Sequence, residues 1–294
     1  MFELMLGICL LNTLCIGIQF MVARETPLVR EPGAPKPSKC APVFQVVEAV
    51  RCSPWLLYHL AAVQCLVWIG NTAWNGYGEL WFTHSVFEGR AKAPRGSPER
   101  QAYHDGVTAF SEGGQCRSVL QLVAALAIIV ILLNTNLRPR LVYAPCIYIG
   151  AAASFLAALA VGHASTFAIV CFTLSVMPEV GSFAIPFGLV ATLNKKAERE
   201  GKPVSTALQM SLLNCCVTVG QQVCTTILAA IEGTLSLEAA LPCVFMLAAV
   251  AQTIAGSGAL CLDDAPPAEA ASDMDAESSQ DTMEAGSTAV ECAA

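Results

Sequence analysis

The feature that most constrains this chain is a series of apolar stretches, each long enough to cross a lipid bilayer, which takes about 20 residues of helix. We count seven of them, separated by short polar segments, at residues 4–23, 54–80, 113–135, 141–162, 166–190, 206–231 and 239–262. Of the 294 residues, 55% are hydrophobic and 13% are charged. A soluble domain carries about a quarter charged residues. The sequence therefore predicts an all-α polytopic membrane protein with about seven transmembrane helices.

The segments outside these spans divide the rest of the chain. Residues 1–23 lack the basic start and the cleavage site of a signal peptide, so we interpret them as a retained transmembrane helix. Residues 24–53 form a basic linker, and 54–262 form a six-helix unit. Residues 263–294 contain nine acidic residues and no Lys or Arg. Such a segment buries too little apolar surface to offset its ordering entropy, which predicts a disordered acidic C-terminal tail.

The distribution of Lys and Arg between the connections predicts the orientation. The connections after the first, third and fifth spans hold eleven basic residues, and those on the opposite side hold four. Because basic loops stay in the cytosol, this predicts an external N-terminus, a cytosolic linker and a cytosolic tail. The protein is then a multi-pass integral protein of the plasma membrane or an organelle membrane, with the lipid bilayer as its solvent.

The chain shows no motif for intrinsic catalysis. It has no phosphate-binding glycine loop and no nucleophile elbow. Most of its 14 cysteines lie inside apolar runs without metal-ligand spacing. We therefore expect neither an enzyme nor a bound cofactor or metal, and no nucleic-acid partner.

Polar side chains recur at intervals of three and four along 206–231, which places them on one face of a helix. They are Ser211, Asn214, Thr218, Gln221, Gln222 and Thr225. Such groups often bond neighbouring helices in membranes, but six in one stripe exceed what packing requires. We predict that Asn214, Gln221 and Gln222 face a substrate or water.

A second polar stripe runs along 54–80. It comprises Trp68, Asn71, Thr72, Asn75 and Glu79. Amides beside an aromatic ring suit a sugar, whose hydroxyls need donors and acceptors and whose C–H face stacks on indole. Trp68, Asn71 and Asn75 are therefore candidate substrate-binding residues. Trp81 fits either such a site or an interfacial aromatic belt equally well.

Ionisable residues inside the spans give the sharpest prediction. Glu179 lies near the middle of 166–190, where an unpaired charge costs about 3 kcal/mol or more. A carboxyl group held there can load and release a proton and so couple transport to a proton gradient. Arg117 is a candidate partner for Glu179 or for Glu79, and these three form the candidate proton-coupling group. The alternatives are a static buried pair, or an Arg117 that extends to the membrane surface.

Two prolines, Pro178 and Pro186, interrupt the span that contains Glu179. Each removes a backbone donor and frees a carbonyl group. Interruptions of this kind often mark gates or binding sites in transporters, and a simple packing kink is the equal alternative.

Four short motifs occur in a fixed order along the chain. They are VARETPL at 22–28; FEG at 87–89 with Tyr103 and Gly106–Val107; Pro178 with Pro186–Phe187; and Leu213–Asn214 with Gln221. In this order and spacing they resemble the sucrose transporters of plants and their animal proton-associated sugar relatives. These are glycoside–pentoside–hexuronide:cation symporters of the major facilitator superfamily. The match covers about residues 1–262.

This resemblance implies that the spans correspond to helices six to twelve of the major facilitator fold. It also implies proton-coupled symport of sucrose or a related glycoside, with sugar and proton as ligands. The chain would then be the C-terminal part of the machinery, and its partner would be a missing N-terminal half or a full-length relative. One alternative is a truncated, non-transporting or regulatory half-transporter. A seven-helix receptor is less favoured, because its characteristic Arg and Asn-Pro motifs are absent.

Overall fold

A computed structural model describes residues 51, 54–159, 164–199 and 206–262. The predicted span at 4–23, the acidic tail and all of the basic linker except Arg51 lie outside these ranges. Helices form the described part, and no strand occurs in it. The helices are α1 Trp55–Leu80, α2 Pro98–Asn134, α3 Pro139–Leu159, α4 Ser165–Leu174, α5 Met177–Arg199, α6 Thr206–Thr234 and α7 Leu237–Leu260. A π-helical segment, Trp81–Val86, continues α1.

Six helical segments in the described part are long and apolar enough to cross a membrane. They are α1 with its π-helical segment, α2, α3, the pair α4–α5, α6 and α7. Each overlaps one of the six spans predicted between residues 54 and 262. The helical, membrane-embedded character of this region is thereby confirmed at the level of length and composition.

Helix α2 begins much earlier than the apolar span at 113–135 predicted. The side-chain oxygen of Ser97 accepts a hydrogen bond from the backbone N–H of Arg100 at 3.2 Å, and Pro98 occupies the first turn. Both features are strong helix-start signals. Residues 81–112, which lie between two predicted spans, are thus largely helical. Hydropathy did not reveal this helix because its first turns are polar and contain no apolar run.

Helix α1 is the centre of the bundle and packs against α5, α6 and α7, while α3 packs along α7. Its C-terminal end lies in an aromatic cluster. The rings of Trp74 and Trp81 meet edge to face at 5.5 Å, and Trp74 lies 4.5 Å from the ring of Phe245. The indole nitrogen of Trp81 donates to the carbonyl of Ala157 at 3.2 Å. Trp81 is therefore a buried packing residue rather than part of an exposed belt.

The two prolines of the fourth described span act differently. The helix breaks at Ser175 and Val176, directly before Pro178, and restarts as α5. The ring of Pro178 packs at the Cα of Gly150 on α3, where a side chain would collide with it. Pro186 lies inside α5 without breaking it. The packing role suggested for Pro178 is thus visible in the structure.

The helices differ sharply in how much of their apolar surface the bundle covers. In the most apolar stretch of each span, 56–61% of residues are buried in α1, α3, α4–α5 and α7. The corresponding share is 11% in α2 and 22% in α6. These two helices therefore present most of their surface to whatever surrounds the bundle.

Candidate functional site

An ion pair joins α2 to α5 at the depth of the apolar spans. The Nη2 of Arg117 donates to Oε2 of Glu179 at 2.8 Å, and the two side chains are 13% and 17% exposed. The Nη1 of Arg117 donates to Oδ1 of Asn75 on α1 at 2.9 Å. Of the two carboxylates considered as partners for Arg117, the structure selects Glu179. Glu79 is exposed, and it forms no ion pair with a described residue.

Local structure positions both charged groups. Glu179 lies in the first turn of α5, where the unpaired N–H groups of the helix start favour a negative charge. The guanidinium carbon of Arg117 lies 5.2 Å from the ring centre of Phe172 on α4, which adds a cation–π contact. Gly113, one turn before Arg117, packs against the same ring. A Cβ atom at Gly113 would lie only 3.0 Å from Cδ1 of Phe172. The small size of Gly113 brings α2 close enough for Arg117 to reach Glu179.

The ion pair borders an open cavity of about 250 Å³. The residues that line it are Asn75, Gly114, Arg117, Ser118, Gln121, Phe172 and Glu179. Ser118 and Gln121 were not identified from the sequence. Gln121 follows Arg117 by four residues and so shares its helical face, and that periodicity was the signal that could have found it. Ser118 is adjacent to Arg117 in sequence and follows Gly114, another cavity residue, by one turn.

Of the three substrate-binding candidates on α1, one lines the cavity and two are buried. Asn75 lines the cavity, whereas Trp68 and Asn71 are buried, at 7% and 0% exposure. The Oδ1 of Asn71 accepts from Nε2 of Gln252 on α7 at 3.4 Å. The Nδ2 of Asn71 and the Nε1 of Trp68 have no hydrogen-bond partner among the described residues. The ring of Trp68 meets that of Phe183 edge to face at 5.5 Å.

Gln64 extends the α1 stripe by one more turn and belongs to a buried hydrogen-bond network. Its Nε2 donates to the backbone carbonyl of Ser182 at 2.9 Å. Its Oε1 accepts from the hydroxyl of Tyr143 at 3.3 Å, and that hydroxyl lies 3.2 Å from Oγ of Ser182. The network joins α1, α3 and α5. Sequence reasoning missed all three of these residues.

Residues Asn214, Gln221 and Gln222 on α6 do not line the cavity. Their side-chain amides make no hydrogen bond to another described residue, and Asn214 and Gln222 are exposed. The hydroxyls of Thr218 and Thr225 donate back to carbonyls of α6 itself. The predicted α6 stripe is therefore not used for packing inside the described bundle, and it is separate from the ion pair.

The exposed surface of α6 has two distinct sides. The polar stripe lies between the buried face of the helix and an exposed apolar strip formed by Val219, Val223 and Ile227. Lipid tails suit the apolar strip, but amides exposed to lipid are costly. The polar stripe accordingly fits water or another protein.

No protein-family model matches the chain, and no curated protein matches it. The resemblance to sugar symporters therefore stays a prediction. The fold and the site define a polytopic helical membrane protein with a polar, charge-paired cavity. Within the described ranges, no group of three or more His, Cys, Asp or Glu side chains is arranged to hold a metal ion.

Proposed function

We propose that this chain is one helical bundle of a membrane transporter that couples the movement of a neutral glycoside, such as sucrose, to that of a proton. The observation that carries the proposal is the Arg117–Glu179 pair at a polar cavity within apolar spans. An ion pair at this depth is costly to assemble, and replacing such pairs by apolar residues is often neutral or stabilising. Function therefore explains a pair of this kind better than stability does.

The proposed coupling step is a competition for the carboxylate. In the structure, Arg117 holds Oε2 of Glu179 and Oδ1 of Asn75 together. A proton on Glu179 would remove the charge that attracts Arg117, and the Nη2 that now binds Glu179 would be free to donate to a bound solute. Solute binding and protonation are then linked, because both change the partners of Arg117.

The chemistry of the cavity supports a neutral, hydroxyl-rich solute. The paired charges cancel, so the cavity gives no net attraction to an ion. Asn75, Ser118 and Gln121 supply both donors and acceptors, which the hydroxyl groups of a sugar require. Phe172 provides an apolar ring surface at the same cavity.

The proposal includes a second helical bundle that faces α2 and α6. The low burial of these helices and the unpartnered amides of Asn214 and Gln222 support such a partner. Transport in membranes proceeds by one bundle rocking against another around a central site. The missing bundle would be an N-terminal half or a full-length relative.

Uptake into proteoliposomes tests the proposal. The chain, reconstituted with the complementary bundle, should accumulate labelled sucrose under an inward proton gradient, and a protonophore should abolish the accumulation. Glu179→Gln should remove the dependence on the gradient. Glu238→Gln is the matched control, because Glu238 also lies in the first turn of a helix but is exposed and outside the cavity. Gradient-driven uptake that survives in Glu179→Gln would contradict the coupling role.

A regulatory half-transporter is the second candidate, and the exposed polar stripe of α6 favours it as well. Such a chain would bind a full-length relative without carrying solute. It would alter the relative's uptake while Glu179→Gln had no effect, which separates the two functions.

A further inference from the structure

Two buried hydrogen-bond donors on α1 lack acceptors in the described bundle. They are Nε1 of Trp68 and Nδ2 of Asn71. Both side chains are more than nine-tenths buried. A buried donor without an acceptor is costly, and native proteins rarely leave one without a functional or solvent partner. Two such donors three residues apart on one helix are an unusual concentration.

These donors do not line the cavity, but they lie on the same face of α1 as Asn75, which does. Asn71 is one helical turn before Asn75, and Trp68 is one turn earlier still, so the three share a face. On α5, Phe183 follows Glu179 by one turn, and its ring contacts Trp68. Helices α1 and α5 therefore run side by side from the Arg117–Glu179 pair to the Trp68–Phe183 contact, which lies nearer the middle of α1. We call the ion pair the first level and the Trp68–Phe183 contact the second level.

The chemistry of this second level differs from that of the first. The cavity around the ion pair offers donors and acceptors, whereas Trp68 Nε1 is only a donor and the acceptor atom of Asn71 is already used by Gln252. The complementary group must therefore be an acceptor oxygen. The half-exposed ring of Phe183 next to Trp68 offers an apolar surface of the kind against which the C–H face of a sugar packs.

We propose that Trp68 and Asn71 form a donor-only subsite, beside the Trp68–Phe183 ring pair, that binds an acceptor oxygen of a neutral glycoside one turn beyond the Arg117–Glu179 pair. This inference rests on the proposed function and assigns two recognition contacts to it. The sugar spans both levels, with hydroxyls at the ion-pair cavity and a hydroxyl or acetal oxygen at Trp68 and Asn71.

Substitutions at the two donors test the subsite. Trp68→Phe deletes the indole N–H and keeps an aromatic ring. Asn71→Asp keeps the oxygen that faces Gln252 and replaces the free donor by an acceptor, and it also places a carboxyl group at a fully buried position. Trp81→Phe is the matched control, since its indole N–H is already bonded to Ala157 and lies away from the cavity. Sucrose binding to the full chain in nanodiscs is measured at neutral pH by isothermal titration, together with the unfolding temperature without sugar.

We expect Trp68→Phe to weaken sucrose binding by about tenfold, which corresponds to one lost hydrogen bond. Asn71→Asp should weaken sucrose binding by at least about tenfold, because it also sets a carboxyl group against the acceptor oxygen of the sugar. Trp81→Phe should bind sucrose like the parent chain. Without sugar, Trp81→Phe should lower the unfolding temperature more than Trp68→Phe, because only Trp81 loses a hydrogen bond in the bundle. Parent-like sucrose binding by Trp68→Phe, or no sucrose binding by the parent chain, would overturn the subsite.

The subsite and the proposed function fail in different ways. Sucrose binding that depends on Trp68 but is accompanied by no proton-driven uptake would keep the subsite and reject the symport. Proton-driven uptake that depends on Glu179 but not on Trp68 or Asn71 would keep the symport and reject the subsite.

Discussion

Gln64 donates from its side-chain Nε2 to the backbone carbonyl of Ser182 at 2.9 Å. In a regular helix that carbonyl would accept from the N–H four residues later, which is the position of Pro186. Proline has no N–H, so the carbonyl of Ser182 would stay unpaired inside the bundle. The amide of Gln64 supplies the missing donor from a neighbouring helix, which explains how α5 continues past Pro186 without breaking.

The first prediction follows from this replacement. Gln64→Leu should lower the free energy of unfolding by about 1–3 kcal/mol, because the carbonyl of Ser182 loses its donor. Pro186→Ala restores a backbone N–H to that carbonyl. Combined with Gln64→Leu, it should therefore recover part of the loss. Unfolding in detergent, followed by circular dichroism, measures each free energy.

The double-mutant cycle separates this explanation from simple packing. If Gln64 acts only by filling space, Pro186→Ala will change the free energy of unfolding by the same amount in the parent chain and in Gln64→Leu. A coupling free energy near zero would therefore contradict the replacement of the proline donor by Gln64.

The second prediction concerns the contact between α1 and α6. A Cβ atom on Gly220 would collide with the backbone carbonyl of Cys65, so the two helices approach each other at this glycine. Gly220→Ala should separate them and destabilise the bundle by about 1–3 kcal/mol. Gly233, on the same helix, has nothing within 4 Å of its Cβ position. Gly233→Ala should be neutral or slightly stabilising, since alanine favours a helix.

Thermal unfolding of the two glycine variants in nanodiscs provides the comparison. The same chemical change is made in both, so its effect on the unfolded chain cancels. Equal unfolding temperatures would show that α6 does not approach α1 at Gly220.

The third prediction concerns the interdependence of Arg117 and Glu179. Arg117→Gln leaves the carboxylate partly buried without its counter-charge, which should cost about 3 kcal/mol of stability. Glu179→Gln should cost a similar amount for the same reason. The double variant removes both charges and should be more stable than either single variant. Chemical unfolding in detergent measures all four proteins, and additive losses would argue against a coupled pair.

The fourth prediction concerns the polar stripe of α6. In a variant depleted of its native cysteines, a cysteine introduced at Gln222 should react with a water-soluble maleimide. A cysteine at Val223 should react far more slowly, because its position lies in the apolar strip that suits lipid. The two positions are neighbours in sequence, so depth in the membrane is matched. Equal labelling would remove the distinction between the two sides of α6.

Part of this site follows from sequence because charges inside apolar spans need partners. That rule made Arg117 and Glu179 candidates for one another, and the structure joins them at 2.8 Å. It could not choose between Glu179 and Glu79, because the choice depends on how α2 packs against α5. Gln64 was missed for a similar reason. The missing N–H of Pro186 indicates that a donor is needed, but only tertiary packing decides which helix supplies it.

The six spans between residues 54 and 262 could be predicted from sequence because apolar length is a property of one segment. The early start of α2 could not be predicted from apolar length, since its first turns are polar and begin at the cap formed by Ser97. The polar stripe on α6 follows from spacing alone, and the substrate-facing or water-facing role given to it stays a prediction. Its position outside the cavity depends on the bundle and is not encoded in the spacing.

The length of α2 has a mechanical consequence. Its 37 residues extend about 55 Å, whereas the hydrocarbon layer is about 30 Å thick. The first turns therefore have the length to extend beyond the bilayer, and they are continuous with the backbone that carries Arg117. Gly106 in this part of α2 packs against Thr83 of the π-helical segment. An antibody fragment bound to these turns could therefore alter the site from a distance. If it tilted α2, the guanidinium of Arg117 would move with the helix although nothing had entered the cavity.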